Sequence, residues 1–235
     1  MSRQFPTTRW SVVLDAAQGP AAPKKALREL CEAYWRPLYT FLRRDGQSPE
    51  DAEDTVQGFF AALLSAPSIA GVEPDRGRFR SYLLGALRHY TAKQRAKSGA
   101  LKRGGGSQTI SLTINGAGAE GELELSDAHT PEAAYAHAWA AEILTRTRGR
   151  LGQRYADDGR GELFATLEPF LLTAQAPTYR QVAESLGMTE PNARVAVHRL
   201  RNRFRGLLRE EVGHTVATDA EVDDEIRAVI AAIRV

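Results

Sequence analysis

Residues 178–208 read TYRQVAESLGMTEPNARVAVHRLRNRFRGLL, and the spacing within them decides the fold. Thr178 offers an N-cap hydroxyl ahead of a short run that carries Val182, Ala183 and Leu186 at helical spacing. Gly187 follows, the residue type that turns the chain through left-handed backbone at least steric cost. Thr189 is a second N-cap, and Pro191 falls in a first turn, where its missing N–H is not needed. Beyond it Ala193, Val197, Leu200, Phe204 and Leu207 step by four, three, four and three, the buried stripe of a long helix. Arg194, His198, Arg201 and Arg205 repeat with the same period on another side. A supporting helix, a glycine turn and a second helix make the helix-turn-helix pattern, whose second helix meets the major groove. The basic face suits phosphate oxygens, while Asn192, Arg194, Val195 and His198 are placed to reach base edges, with Arg199 and Arg201 completing the candidate DNA-binding set. His198 has no companion at metal-ligand spacing, so the sequence implies no metal site and no cofactor.

The same helical period runs through the rest of the chain, and no segment alternates like a hairpin, so the expected class is all-α. Residues 8–18 form a short amphipathic start. From Lys24 to Arg44, Leu27, Leu30, Cys31, Tyr34, Leu38, Phe41 and Leu42 recur every three or four residues, and Pro37 should kink or interrupt this helix. After Gly46, the string Ser48-Pro49-Glu50-Asp51 supplies a cap, a first-turn proline and a carboxylate at the third helical position. The helix that follows buries Ala52, Val56, Phe59 and Leu63 and turns Glu50, Asp54, Gln57 and Ala61 outward, with Asp51 and Glu53 on its flanks. After a loop over residues 66–77, a third helix covers 78–97, with Phe79, Leu83, Ala86 and Tyr90 inward and Ser81, Gly85, Arg88, Ala92 and Arg95 outward. Residues 104–130 are rich in glycine, serine, threonine and alanine and read as a flexible linker, with one β-branched piece at 109–114. Helices resume at Pro131, with breaks expected at 149–161 and at Pro177. Last come a capping box, Thr218-Asp219-Ala220-Glu221, and an apolar stripe of Val222, Ile226, Val229, Ile230 and Ile233. The expected organisation is therefore two small helical domains, 1–103 and 131–215, joined by the 104–130 linker and followed by a 216–235 extension.

Composition narrows the function. The net charge is only +2, yet the signs are segregated: residues 76–103 hold nine Lys/Arg and no Asp/Glu, while four of the five residues 50–54 are acidic. Single-sign blocks in a near-neutral chain suit surfaces that meet different partners. The acidic row lies on a convex helix face with no histidine or metal-ligand set beside it, so it suits docking to a basic partner better than acid–base chemistry. The basic helix, with Tyr82, His89 and Tyr90 on its flank, has the character of a single-strand surface: phosphate attraction with flat rings for stacking. No nucleophile–base spacing and no GxxxxGK[ST] loop occurs, so the chain reads as a binding protein, not an enzyme. With no membrane span, no signal peptide and a single cysteine, Cys31, in an apolar helical pattern, it reads as cytoplasmic.

Residues 30–64, LCEAYWRPLYTFLRRDGQSPEDAEDTVQGFFAALL, and 77–104, GRFRSYLLGALRHYTAKQRAKSGALKRG, together resemble the second conserved region of bacterial RNA polymerase sigma factors. The 178–208 stretch resembles their fourth region, and without first and third regions the arrangement is similar to the extracytoplasmic-function (ECF) group. The resemblance implies a sigma region 2-like domain, a region 4-like helix-turn-helix domain and a role in transcription initiation: binding RNA polymerase core and directing promoter recognition and DNA melting. In that family the acidic helix docks on the clamp helices of the largest polymerase subunit, which maps to Asp51, Glu53, Asp54 and Gln57. The basic helix and the loop before it bind and melt the minus-ten element, implicating residues 65–78 and above all Arg76, Arg78, Arg80, Arg88, His89, Lys93 and Arg95. The helix-turn-helix reads the minus-thirty-five element and docks on the flap of the second-largest subunit. An anti-sigma factor or a kinase is a further class of partner in the family. Where the family often carries an Ala-Arg-Asn-like string, this chain has Leu87-Arg88-His89, and the stretch between Trp139 and Pro177 and the tail from Val222 match a subgroup with an extended fourth region. Two other readings stay open: a helix-turn-helix transcriptional regulator, and a sigma mimic that binds an anti-sigma factor.

Overall fold

The computed structural model of the chain describes residues 24–65, 78–101, 130–172, 176–216 and 218–234. The expected start at 8–18, the 66–77 loop with Arg76, and all of the 104–130 linker except Thr130 lie outside them. The fold is all-α, and among the described residues there is no strand. The helices are α1 (Lys24–Arg44), α2 (Pro49–Ser65), α3 (Phe79–Leu101), α4 (Pro131–Asp157), α5 (Gly161–Leu167), α6 (Pro169–Leu172), α7 (Tyr179–Ser185) and α8 (Glu190–Gly213). A 3-10 turn, Asp219–Glu221, then leads into α9 (Val222–Ile233).

One expected interruption does not occur, and another is confined to the end of its expected range. Pro37 is buried within an unbroken α1. A proline there forfeits one backbone hydrogen bond, but Tyr34 and Leu38 on either side are fully buried, and Trp35 and Tyr39 stack across it with ring centroids 5.1 Å apart. Helix α4 likewise runs on through Gly149 and Gly152 to Asp157. Gly152 is a place of close packing, since a Cβ there would lie 2.9 Å from Cε1 of Phe164. The real break is the short turn 158–160, where Gly159 takes a positive φ of 70°.

The chain divides into two compact units, one made of residues 1–142 and 213–235 and the other of residues 143–212. This differs from the division read from composition, which set 216–235 apart and grouped all of 131–215. A composition shift marks a change of chain type but carries no information about which distant segments dock.

In the first unit α1, α2 and α3 pack together. Their core includes Tyr34, Leu38, Leu42, Val56, Phe60, Phe79, Leu83 and Leu87. Tyr34 meets Phe79 edge-on at 5.3 Å, and Phe59 meets Tyr90 edge-on at 5.8 Å. Gly58 on α2 permits the second contact, because any Cβ would come within 2.6 Å of the Tyr90 hydroxyl. Cys31 is buried in this core, and burial, reinforced by the nearby Glu32 charge, pushes its thiol up to about 12. It behaves as a small apolar side chain. The second unit is built on the inner faces of α4 and α8. Glu211 of α8, 5% exposed, receives Arg146 at 3.5 Å and Arg150 at 3.0 Å from α4.

Candidate nucleic-acid interface

The helix-turn-helix forms as its residues dictate. Thr178 Oγ1 accepts the Gln181 N–H while the Gln181 side chain accepts from the Thr178 N–H, a reciprocal cap on α7. Val182 and Ala183 are buried. Gly187 takes a φ of 61°, and the Met188 N–H donates back to the Ala183 carbonyl at 2.9 Å, so the turn satisfies the carbonyl that the helix end leaves open. Thr189 Oγ1 then accepts the Asn192 N–H at the start of α8. Ala193, Val197, Leu200, Phe204 and Leu207 are all buried, the stripe the spacing predicts.

The six DNA-reading candidates of α8 separate into two kinds. Asn192, Val195, His198 and Arg199 are exposed, Val195 by 47%, and among the described residues neither Asn192, through its side chain, nor Arg199 is engaged. His198 lies 3.4 Å from the Asn202 amide. Arg194 is held instead by Glu190 at 2.6 Å and lies 4.7 Å over the Tyr179 ring, which itself stacks on Phe170. Arg201 is exposed but anchored: its Nε and Nη2 both donate to the Phe170 carbonyl, at 3.2 and 3.1 Å. That bond uses Nε and one Nη2 hydrogen, so the exposed side chain keeps its Nη1 donors for another acceptor while its position is fixed. A cleft of about 490 Å³ between Leu151, Tyr155, Arg203 and Leu207 also lies in this unit, but Arg154–Glu210 pairs across its lining and it shows no single-sign character.

On the third helix the outward row Ser81, Gly85, Arg88, Ala92 and Arg95 is exposed as expected, and so are His89 and Lys93. Arg88 is 50% exposed, pairs with Glu132 and lies 5.3 Å over the Phe41 ring. Arg95 is 66% exposed and pairs with Asp45 at 3.0 Å. Both guanidiniums remain at the surface, where such pairs are weak and exchange readily. Among the described residues His89, Lys93 and Lys97 enter no ion pair. The inward row needs revision: Leu87 is fully buried, whereas Ala86 and Tyr90 are half-buried. The flanking rings also change role. Tyr90 packs on Phe59, its hydroxyl accepting from Gln94, and Tyr82 tilts against Phe79 with its hydroxyl pushed up by burial. Of the three rings read as stacking platforms, His89 alone is exposed.

Arg80 is the most enclosed of the described minus-ten candidates. Its Nε and Nη2 reach Glu225 at 2.7 and 3.4 Å, its guanidinium lies 4.6 Å over the Trp139 ring, and the side chain is 15% exposed. Arg78, 37% exposed, reaches the other oxygen of the same carboxylate at 2.8 Å. Glu225 itself has no exposed surface. The Tyr135 hydroxyl donates to the Arg80 carbonyl at 2.9 Å; burial, with Tyr34 and Glu225 adding to it and Arg80 opposing, holds that hydroxyl well above its usual range. Sequence reading missed Glu225, although a signal exists: Val222, Glu225 and Val229, spaced by three and four, share one face of α9, so an acid sits in an apolar row.

On α2, Ala52, Val56, Phe59 and Leu63 are buried, as is Phe60, which the expected stripe omitted. Asp51, Glu53 and Asp54 are exposed and Gln57 is half-buried. Asp51 accepts the Ser48 hydroxyl at 2.7 Å. Among the described residues Glu50, Glu53 and Asp54 enter no ion pair. Also among the described residues, no three His, Cys, Asp or Glu side chains converge as a metal site, and no helix is long and apolar enough to cross a membrane. Compared with protein-family models, with curated proteins and with solved structures, the chain matches none.

Proposed function

We propose that the chain is a promoter-recognition factor of the sigma type, which binds RNA polymerase core, brings it to promoter DNA and helps to open the duplex. It works in the cytoplasm and catalyses no reaction of its own. The observation that carries this reading is the acidic row of α2. Glu50, Glu53 and Asp54 are exposed and unpaired among the described residues. Like charges three and four apart on a helix repel by a few tenths of a kcal/mol, about 0.2–0.5 per pair. A basic partner surface relieves that repulsion and steers the encounter. A dimeric helix-turn-helix repressor has no use for such a row.

The other surfaces fit the same division of labour. The exposed face of α8, with Asn192, Val195, His198 and Arg199, suits a duplex groove. The outer face of α3, with Arg88, His89, Lys93 and Arg95, suits a single strand. Opening DNA costs about a few kcal/mol per unstacked step. With no nucleotide-hydrolysis loop in the sequence, binding energy must supply it, as part of a larger polymerase assembly. The pairing of Arg88 with Glu132 and of Arg95 with Asp45 gives the sigma-mimic reading its one specific support, since both pairs mask cations that DNA would need.

Co-purification with bacterial RNA polymerase core tests the assignment. Glu53→Lys with Asp54→Lys should weaken core binding at least tenfold while the helical circular dichroism stays constant; Asp51 is kept because the Ser48 hydroxyl donates to it. Undiminished co-purification removes the docking role of α2. Binding to an anti-sigma factor by a chain that never engages promoter DNA, with or without core, identifies the mimic.

A further inference from the structure

We infer that α9 is a latch that holds the minus-ten surface of α3 closed, with the Glu225 carboxylate occupying the place that a DNA phosphate takes when the latch opens. The inference rests on the nucleic-acid reading of α3 and concerns the regulation of that surface. Arg78 and Arg80 stand at the very start of α3, where the helix dipole also favours an anion. The anion present is an internal one. Both guanidiniums converge on the two oxygens of Glu225, 2.8 Å from Arg78 and 2.7 Å from Arg80. A carboxylate and a phosphodiester offer the same geometry to an arginine fork, so the two compete for one site.

The rest of the tail fixes the competitor in place. The Phe79 N–H, one of the open donors at the start of α3, goes to the Thr215 carbonyl at 3.2 Å. Thr215, Val216, Val222 and Val229 are buried with Glu225. The hold is nevertheless partial. Arg78 keeps 37% of its side chain exposed, and the far end of α9 leaves Ile230 and Ile233 at 44% and 38% exposure. A segment anchored by a few apolar contacts and one ion-pair cluster can open locally without unfolding the α1–α3 core. DNA binding and latch closure then oppose each other, and the apparent affinity falls by the fraction of chains that are open.

Fluorescence anisotropy of a labelled random-sequence 20-nucleotide single strand, with and without polymerase core, reads the competition in the full-length chain. Glu225→Gln should bind about tenfold more tightly than the unaltered chain. Its log–log salt dependence should steepen by about 1.4, the share of two further phosphate contacts on a single strand. Should Glu225→Gln fail to fold, amide hydrogen exchange on the unaltered chain decides. Adding the strand should speed exchange at Phe79 and through α9. A strand that binds both chains equally, or binding that leaves α9 exchange unchanged or slower, overturns the latch while leaving the DNA surface standing. No binding by either chain, even with core present, overturns the DNA reading and the latch with it.

Discussion

Single residues decide whether the helix-turn-helix of the second unit holds its shape. Gly187 is the clearest case: its φ of 61° is what lets the Met188 N–H turn back to Ala183 and sets the angle between α7 and α8. An Ala there has open space around its Cβ but the wrong backbone preference. Gly187→Ala should cost about 1 kcal/mol of stability, and Gly187→Asn less, because Asn tolerates left-handed backbone. Urea unfolding followed by circular dichroism measures the difference, and equal midpoints for all three chains would refute it. At the same scale, one side chain's burial changes its meaning. Arg80 and Arg88 look alike in sequence, yet the first is walled in by Glu225 and Trp139 while the second stays half in solvent.

Among the elements, α4 and α8 are coupled through a buried acid and an exposed one in adjacent positions. Glu211 is 5% exposed and takes two arginines; Glu210, mostly in solvent, pairs with Arg150 at 3.3 Å and Arg154 at 3.5 Å. Removing the buried partner leaves cations facing a desolvated gap, whereas an exposed pair is largely screened. Glu211→Ala should therefore destabilise the second unit by roughly 2–3 kcal/mol, discounted because Arg150 is partly exposed, and Glu210→Ala by under about 1 kcal/mol. Denaturation midpoints separate the two, and equal losses would mean that Glu211 contributes no more than a surface pair. Capping and the stripes of α2 and α8 were legible in the sequence, because each depends on residues within a turn or two of one another, whereas of the stripe expected on α9 only Val222 and Val229 are buried and Ile230 and Ile233 are exposed. The unbroken course of α1 through Pro37 and of α4 through Gly149 was not. Local propensity disfavours both, and packing from outside the helix overrides it.

Over the whole molecule, the chain's end belongs with its beginning: residues 213–235 complete the unit that holds α1, α2 and α3. Deleting 216–235 strips buried Val216, Val222 and Val229 from that unit and leaves Arg80 without its counter-charge. The loss should be on the order of 5 kcal/mol. Trp35 and Trp139 fall in that unit, and residues 143–212 contain no tryptophan. Tryptophan fluorescence should thus report an early transition in the truncated chain, while a second part of the helical signal melts at its former midpoint. Coincident transitions, unchanged from those of the full chain, would show that the tail adds nothing to the unit.

The sequence by itself determined the all-α class, the capped helix-turn-helix, the buried stripes of α2 and α8 and the acidic and basic faces. Each of these is written in a period of three to four residues or in a cap–turn dipeptide, and such short-range physics needs no distant partner. Tertiary structure alone decided which charges stay available. Glu225 lies 145 positions from Arg80, and Glu132 lies 44 from Arg88. Arg201 finds its acceptor 31 residues away, at Phe170. No local pattern encodes those meetings, because they depend on how the helices pack, and packing fixes whether an arginine is neutralised inside the chain or left to meet another molecule.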